Sequence, residues 1–520
     1  MRTSHTEAVK LTLEELVGGP SAAPTIIFIA VCVLLSAISV FMYLRSLSTE
    51  SSEGSVEGSL PMPAQRSRND DSIGLSSTPS GSARPSRMFA RRNTVTVSEL
   101  KRRYWTIDDG NDTMSALTFV VNMFADLCPP GFLPLAFGLK ATGYIPGLLM
   151  LVTFYGLCVY TMYAISKSMQ LSGCKDFASQ WTNAVGKGSA WFPVLAVFLV
   201  CFGCNLSYSC FFADIFAGVM PALGLRMSRS LCLLAFTAFP TTPLCLLKNL
   251  SALSCSSGFA LVAVLFTAGV MVARATDGSY IKGGRFFGDL KPELAPKVPD
   301  DHLYGFGLPS LVLLNTLAVA FLSHYNGCKY YRELAGKTPT KLVQCTATAM
   351  GICALLFATT AVAAFQTFGM NADGVILKNY SERDPMANAA RLVVGLSIIA
   401  SFPLMFSGLR EATITLLKLM FPRSAAELDL VWMQDVVSMV LLALITCIAL
   451  VVTDAGLVVG VVGAVCGSVC IYVVPCTLYA GAIKSFLSAE KFSMEVAFLR
   501  CLTCLGVVLG AAGCYSSLAF

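Results

Sequence analysis

Long apolar runs separated by short polar stretches make up most of the chain after about residue 115. A run of about 20 apolar residues is long enough to cross the ~30 Å hydrocarbon core of a bilayer as a helix. We therefore expect an all-α polytopic membrane protein. The runs predict about eleven spans, near 115–139, 144–167, 191–218, 229–248, 251–274, 308–328, 342–367, 387–409, 432–453, 456–480 and 496–518.

The part of the chain before these spans divides into three segments. A further apolar run at 24–44 follows a tail at 1–23 and predicts an additional transmembrane anchor. Residues 45–114 are rich in Ser, Gly, Pro and Arg and lack an apolar period, so we expect a disordered linker. The eleven predicted spans occupy the remaining residues, 115–520.

Basic residues predict the sidedness of the loops, because basic clusters near a span mark the cytoplasmic side. The end of the 45–114 linker is basic, and so is the short loop at 329–341. We therefore expect both in the cytoplasm, with 275–307 and 368–386 on the opposite side. The last of these loops contains Asn379 in an Asn-Tyr-Ser sequon, a candidate glycosylation site.

The first predicted span is interrupted by polar chemistry and by prolines. It carries the acid Asp126, and then Pro129 and Pro130, which have no backbone N–H and clash with the preceding turn. We expect the helix to break at these prolines. Backbone groups freed at such a break are tolerated in a membrane only when they are buried in protein or face a wet cavity. A broken helix beside a buried acid is typical of the substrate or ion site of a secondary transporter, although a purely structural kink is the alternative.

Composition narrows the class of protein further. Only 13% of the residues are charged, and a net charge of +6 gives no indication of nucleic acid binding. The 20 cysteines lie mostly in apolar runs, where a thiol packs as a small hydrophobe. Within the predicted spans there is no paired acid/base or metal-ligand spacing, so an enzyme is the least favoured class and we expect no cofactor.

Four stretches in the core resemble motifs of the amino acid/auxin permease (AAAP) family. They are Pro129-Pro130-Gly131-Phe132-Leu133-Pro134-Leu135-Ala136-Phe137-Gly138; Pro243-Leu244 with Asn249-Leu250; Phe321-Leu322-Ser323-His324 followed by Tyr331-Arg332-Glu333-Leu334; and Arg391-Leu392 with Pro403 and Arg410-Glu411. The resemblance covers residues 115 to 518. It implies an eleven-span core of the APC/LeuT-like type, in which spans 1–5 and 6–10 form inverted repeats around a site at the membrane midplane.

The resemblance also implies an amino acid substrate bound at the breaks of spans 1 and 6. Free backbone N–H groups around Gly131, Phe132 and Leu133 suit the substrate carboxylate. Carbonyls near Asp126 and Phe321 suit its ammonium group. The break in span 6 is expected from the resemblance alone, since that span lacks a central proline or glycine. Tyr208 and Ser323 complete the candidate substrate-binding residues, with Phe132 and Phe321 as aromatic walls.

Three residues are candidates for ion coupling: Asp126, His324 and Ser401. His324 titrates near neutral pH, although a histidine that only packs helices is an equal alternative. The sodium-coupled branch of the family has an asparagine where this chain has Ala125, so the expected coupling ion is the proton. We find no lysine or arginine in the interior of the predicted spans. Asp126 is therefore expected to be protonated, to hold a coupling cation, or to pair with a cationic substrate.

These observations favour a proton-coupled secondary transporter of amino acids, with arginine and lysine as the preferred substrates. Its expected location is an acidic vacuole- or lysosome-like membrane, or the plasma membrane. Two alternatives use the same fold. One is a carrier of neutral or aromatic amino acids, and the other is an amino acid sensor that signals through its N-terminal tail.

Overall fold

The computed structural model describes residues 114–519 except 226, 247–253, 300–304, 306, 453 and 488–491. The predicted anchor at 24–44 and nearly all of the linker at 45–114 lie outside the described residues. The described part is all-α, apart from two isolated β-bridges. Its helices are α1 (Ala116–Gly131), α2 (Leu135–Thr142), α3 (Tyr144–Ser172), α4 (Phe177–Ala184), α5 (Trp191–Val219), α6 (Arg229–Phe236), α7 (Thr242–Leu246), α8 (Ser254–Thr276), α9 (Ser310–Ala320), α10 (Gly327–Glu333), α11 (Pro339–Phe368), α12 (Pro385–Met420), α13 (Val431–Val451), α14 (Ala455–Val462), α15 (Val474–Phe486) and α16 (Ser493–Ala519).

Ten helical segments in the described part are long and apolar enough to cross a membrane. One lies at each predicted span from 144–167 onwards. Two of them contain π-helical turns, at Thr237–Thr241 and Gly463–Val473, which join α6 to α7 and α14 to α15. The first predicted span differs from these ten, because its apolar helix is too short to cross a membrane and the chain is interrupted after Gly131.

The interruption of the first span lies later than the prolines predict. Helix α1 begins at the cap of Ser115, whose hydroxyl accepts a hydrogen bond from Thr118 N at 3.1 Å, and it continues to Gly131. Three irregular residues follow, and α2 starts at Leu135. The prolines remove two helical hydrogen bonds, but α1 includes them and ends one residue later at Gly131, so the break begins at Phe132 and not at the prolines as predicted.

The sixth span is broken as well. Helix α9 ends at Ala320 and α10 starts at Gly327. The segment between them contains irregular residues and a single 3₁₀ turn at His324–Asn326. Spans 1 and 6 are therefore each a pair of short helices joined by non-helical backbone.

Loops at the two ends of the bundle sort into two groups. At one end, Met114 pairs with the chain just after α10, and its N–H donates to Glu333 O at 2.9 Å. At the other end, Lys297 pairs with Gly369, which brings the loop before α9 against the loop after α11. Loops predicted to share a side of the membrane thus lie together. The assignment of the basic end to the cytoplasm stays a prediction.

Candidate functional site

The breaks of spans 1 and 6 lie directly against each other. A Cβ atom on Gly131, at the end of α1, would lie 3.2 Å from Ala320 Cα at the end of α9 and 2.9 Å from Phe357 Cζ on α11. Only glycine allows this close approach, since it has no Cβ atom. Gly131 therefore serves as a packing point between the two breaks, and it ends the first half-helix instead of starting the second as predicted.

Asp126, five residues before Gly131 on α1, is bound by three side chains from the second half of span 6. Its Oδ1 accepts a hydrogen bond from the Tyr325 hydroxyl at 2.5 Å. Its Oδ2 accepts from the Tyr330 hydroxyl at 3.2 Å and from Asn326 Nδ2 at 3.5 Å. The acid remains partly exposed. The carboxylate is thus satisfied by neutral donors on one short segment, which joins α1 to α10.

The sequence missed these three donors, which are the partners that matter most to Asp126. Tyr325, Asn326 and Tyr330 lie about 200 residues further along the chain. The available signal was the short polar stretch His324-Tyr325-Asn326, placed directly after a long apolar run. A count of lysine and arginine alone cannot reveal such partners.

A buried basic residue lies near the start of span 8, outside the interior of the span to which the prediction applies. Arg391 lies in α12 and is 2% exposed. Its guanidinium donates to Leu377 O at 2.8 Å and to Ser381 O at 3.3 Å, in the loop before α12. The charge is therefore balanced by backbone carbonyls, and these hydrogen bonds hold α12 against that loop.

His324 and Ser323 occupy the break of span 6 itself. His324 is 1% exposed, and its Nε2 lies 2.9 Å from the Thr161 hydroxyl of α3. Its Nδ1 and the Ser323 hydroxyl are buried without a hydrogen-bond partner among the described residues. Two polar atoms at a helix break thus remain available to a ligand, and the hydrogen bond to Thr161 fixes the orientation of the ring.

Ser401 presents a similar unpartnered hydroxyl on α12. It shares a helical face with Gly408, seven residues further on, where a Cβ atom would lie 3.7 Å from the Tyr325 ring. The neighbouring Phe402 ring packs against the ring of Tyr208 on α5, with centroids 6.2 Å apart. Ser401 therefore lies on the face of α12 that points toward Asp126 and the span 6 break.

Aromatic rings surround the break in span 6. The Phe321 ring lies 5.4 Å from the Phe357 ring and 6.2 Å from the Phe154 ring, measured between centroids. Phe132, in the break of span 1, is 1% exposed. The predicted wall residues are thus buried at the breaks and not at the lipid-facing surface.

The loop after α11 covers the site from the far end of the bundle. Ile376 N donates to Leu133 O at 3.4 Å, so this predicted substrate-binding residue is engaged by the loop. A Cβ atom on Gly374 would lie 2.9 Å from Gly456 Cα in α14. The loop therefore contacts both span 1 and span 10, and it closes the bundle at that end.

Charged residues also hold the covering loop in place. Asp214 is 8% exposed and forms an ion pair with Arg229 at 2.6 Å. Lys378 of the covering loop lies 4.0 Å from Asp214 and 3.3 Å from Asp373. Asp214 therefore ties α5 to α6 and to the loop.

Asn379 in this loop, the predicted glycosylation site, is buried. Its side chain is 0% exposed, and Nδ2 donates to Leu294 O at 3.2 Å and to Asn371 O at 2.8 Å. The amide nitrogen that would carry a glycan is thus inside the folded loop. The sequence matches the sequon, but in the fold the asparagine side chain makes structural hydrogen bonds.

Asp384 and Arg274 join the covering loop to α8. Asp384 is 0% exposed, and both of its oxygens pair with Arg274 of α8 at 2.8 Å. The Tyr280 hydroxyl donates to Asp384 Oδ2 at 3.0 Å. Burial raises the pKa of Tyr280, and the adjacent carboxylate adds to this effect, so the phenol remains a hydrogen-bond donor.

Helices that break in pairs around an acid, with ten span-length segments in the described part, define a polytopic membrane protein of the broken-helix transporter class. Residues 112–519 match the family described as "Transmembrane amino acid transporter protein". This match extends over most of the chain, and the chain belongs to the transmembrane amino acid transporter family.

Several curated proteins are similar at low identity. A relative from Danio rerio named "Putative sodium-coupled neutral amino acid transporter 11" is 23% identical over 57% of this chain, and the chain spans only 64% of that relative's length. A Bos taurus relative of the same name is 22% identical over 76% of this chain and 81% of its own. "Vacuolar amino acid transporter 5" of Schizosaccharomyces pombe is 24% identical over 69% of this chain and 83% of its own.

The fold is also similar to that of a solved transporter. A Na⁺-coupled sialic acid symporter in a substrate-bound, outward-open state matches 81% of this chain and 95% of its own, with a TM-score of 0.50. Sequence identity is 11%, so the likeness concerns the fold alone.

Proposed function

We propose that this protein is a secondary active transporter that carries amino acids across a membrane by alternating access to the paired breaks of spans 1 and 6. The observation that carries the proposal is the contact of the two breaks beside Asp126. Non-helical backbone inside a membrane bundle is tolerated when it lines a cavity or a ligand site. The family and the named relatives support amino acids as the substrate class.

The proposed core has eleven spans, with α1 and α2 together forming the first. The two broken spans then open two inverted five-span repeats, spans 1–5 and 6–10. A pair of broken helices at corresponding positions of two repeats is typical of this architecture.

An α-amino acid has two charged ends, and the breaks offer a partner for each. Pro129 and Pro130 cannot donate to the carbonyls four residues earlier, so the carbonyls of Ala125 and Asp126 lack helical partners and suit an ammonium group. N–H groups at the start of α2 point toward the break and suit a carboxylate. Ser323 and His324 add polar atoms from span 6.

The proposed coupling ion is the proton, with Asp126 as the principal coupling residue. When ionised, Asp126 accepts hydrogen bonds from Tyr325 and Tyr330 and holds α10 against α1. Protonation removes the charge from this acceptor and weakens both bonds, because charge-assisted hydrogen bonds are roughly twice as strong as neutral ones. The two half-helices could then separate, which gives protonation a direct effect on the conformational equilibrium.

Sodium is the competing ion, since the animal relatives are named for sodium coupling. Ala125 supplies no side-chain ligand at the position where the resemblance places an asparagine. The Ser401 hydroxyl suits a proton-coupled and a sodium-coupled mechanism equally. A proton-driven carrier suits an acidic vacuole- or lysosome-like membrane or the plasma membrane. The fungal relative is named as a vacuolar transporter.

The proposed substrate preference is for cationic amino acids, with neutral or aromatic ones as the alternative. A carboxylate near the site favours a second positive charge on the substrate. Three neutral donors already occupy Asp126, however, so its free acceptor capacity is limited. The rings around Phe321 offer a packing surface for an aromatic side chain, which favours an aromatic substrate.

The experiment is uptake of labelled arginine, lysine and a neutral amino acid by the full chain in proteoliposomes, with a pH gradient imposed. Wild-type protein should accumulate at least one of them above protein-free vesicles. Asp126→Asn should abolish cationic uptake selectively if the acid selects the substrate, and abolish all uptake equally if it couples protons. Asp429→Asn changes an exposed carboxylate and serves as the matched control. Unchanged uptake in Asp126→Asn would contradict both roles.

A further inference from the structure

A narrow apolar groove runs along the outside of the helix bundle, where α16 packs on the π-helical segment Gly463–Val473 of span 10. Its volume is about 270 Å³. Val465 and Val469 line one side of it, and Val507 and Ala511 line the other. Val465 is 41% exposed and Val507 is 59% exposed, so the groove opens outward. Because α16 is an apolar helix of span length, the groove faces the hydrocarbon of the bilayer, and its occupant must be apolar.

Glycines keep this groove free of side chains. A Cβ atom on Gly506 would collide with Tyr472 Cβ, and one on Gly510 would lie 3.0 Å from Ser468 Cβ. Glycine therefore allows α16 to pack closely on the π-helical segment and adds no side chain to fill the space beside the contact. From Gly506 to Cys514 the groove follows eight residues of α16, which is about 12 Å at a helical rise of ~1.5 Å per residue.

A nucleophilic side chain lies at one end of the groove. Cys501 and Cys504 are both exposed on the outer surface of α16. Cys504 shares a helical face with Val507 and Ala511, three and seven residues further on, which line the groove. Cys501 is turned about 60° further from that face, because three residues are less than one helical turn. Cys504 is therefore the thiol from which an attached chain would enter the groove.

Arg500 indicates the level of this thiol in the membrane. It is exposed on the same face of α16, four residues before Cys504. A long basic side chain near the end of a span extends to the headgroups, so this turn lies close to a membrane surface. Span 11 starts at the same end of the bundle as span 1, where Met114 lies and where we predict the cytoplasm. From Cys504 the groove leads away from that surface, toward the membrane midplane.

We propose that Cys504 is an S-acylation site and that its long-chain fatty acyl group occupies the groove between α16 and the π-helical segment. Cysteines near the membrane ends of helices are typical acceptors for this modification. The Cys504 thiolate attacks the thioester carbonyl of a long-chain acyl-coenzyme A. A new carbon–sulfur bond forms as the bond to the coenzyme A sulfur breaks, and the released coenzyme A thiol takes up the proton that Cys504 lost. No electrons are exchanged with an oxidant or reductant.

The dimensions of the groove favour a single hydrocarbon chain over a further helix. A space of about 270 Å³ that extends about 12 Å is much narrower than an α-helix, which is about 10–12 Å across with its side chains. Attachment also favours a bound chain over a free lipid tail. A chain fixed to Cys504 stays at a high effective concentration beside Val507, whereas a free lipid exchanges with the surrounding bilayer.

The test uses the full chain, expressed in cells that contain protein acyltransferases and fed a long-chain fatty acid that carries an alkyne and a diazirine. Wild-type protein should carry the alkyne, and neutral hydroxylamine should remove it, because hydroxylamine cleaves thioesters. Cys504→Ser should lose most of the label. Cys447→Ser changes an exposed cysteine of α13, should keep the label, and is the matched control. An unlabelled wild type, or a Cys504→Ser protein that keeps its label, would overturn the proposal.

Light activation of the diazirine tests where the chain lies. Wild-type protein should yield crosslinked peptides that contain Val465 or Val469 of the groove. Cys504→Ser should lose these crosslinks, and Cys504→Ala replaces it if serine prevents folding. Groove crosslinks that persist without Cys504 would identify a free lipid as the occupant and overturn the role of the thiol. Crosslinks found only outside the groove would overturn its occupancy by the chain. Neither measurement depends on what the protein transports.

Discussion

At Asp126 a carboxylate lies within a membrane-spanning segment and is bound by neutral side chains. Its three hydrogen bonds come from Tyr325, Asn326 and Tyr330. An acid in a span is costly unless it is paired or neutralised, and hydroxyl and amide donors offset part of that cost. The sequence revealed the acid because it interrupts an apolar run. It could not reveal the donors, because tyrosine and asparagine are too common to mark a partner so far along the chain.

Asp384 shows the same limit in a different environment. It lies in the predicted loop at 368–386, just before α12. The fold buries it completely and pairs it with Arg274, 110 positions away. Such a pair depends on the packing of two loops, which no local pattern contains.

We predict that Asp384→Asn destabilises the protein by about 3 kcal/mol, because removal of one member of a buried ion pair is strongly destabilising and leaves Arg274 to the more exposed Asp277. Asparagine keeps the helix cap, since it is as good an N-cap as aspartate. The variant therefore isolates the loss of charge. The measurement is denaturant unfolding in detergent, compared with wild type.

Asp277→Asn is the control for this prediction. Asp277 also pairs with Arg274, but its side chain is 33% exposed, and such pairs contribute about 1 kcal/mol or less. Equal destabilisation by the two substitutions would contradict the assignment of Asp384 as the residue that anchors the covering loop.

Helices in this protein were easier to predict than their interruptions. Ten apolar runs became span-length helices, because a long apolar run in a membrane has few alternatives to a helix. The break in span 1 was signalled by two prolines, yet it lies beyond them. The break at Phe321 and Ser323 has no local signal, since tertiary contacts such as the one between His324 and Thr161 hold it. Only the resemblance to a family predicted it.

We predict that Gly131→Val abolishes transport without preventing folding. The new Cβ would lie 3.2 Å from Ala320 Cα, a backbone atom that cannot easily retreat, and the added methyl groups would force the two breaks apart. The measurement is amino acid uptake at equal amounts of monodisperse protein.

Gly156→Val on α3 is the matched control, because a Cβ atom there meets nothing within 4 Å. It should transport at the wild-type level. If Gly131→Val also did so, the close contact of the two breaks could not be essential to the transport cycle.

The molecule as a whole is closed at the end that the loop after α11 covers. The loop after α11 contacts spans 1, 3 and 10 through Ile376, Lys378 and Gly374. Asp126 lies nearer the opposite end, where Met114 pairs with the chain after α10. Hydropathy and charge predicted which loops share an end, because those signals are spread along the chain. The closure itself arises from tertiary contacts and was not predictable.

The central claim is that amino acids move together with protons through the paired breaks. The most direct test is to load proteoliposomes with a pH-sensitive dye, fix the membrane potential with potassium and valinomycin, and add the transported amino acid outside without sodium. The account predicts that the lumen acidifies as the amino acid enters, and that Asp126→Asn abolishes this acidification. Uptake that needs sodium and leaves the lumenal pH unchanged would contradict it.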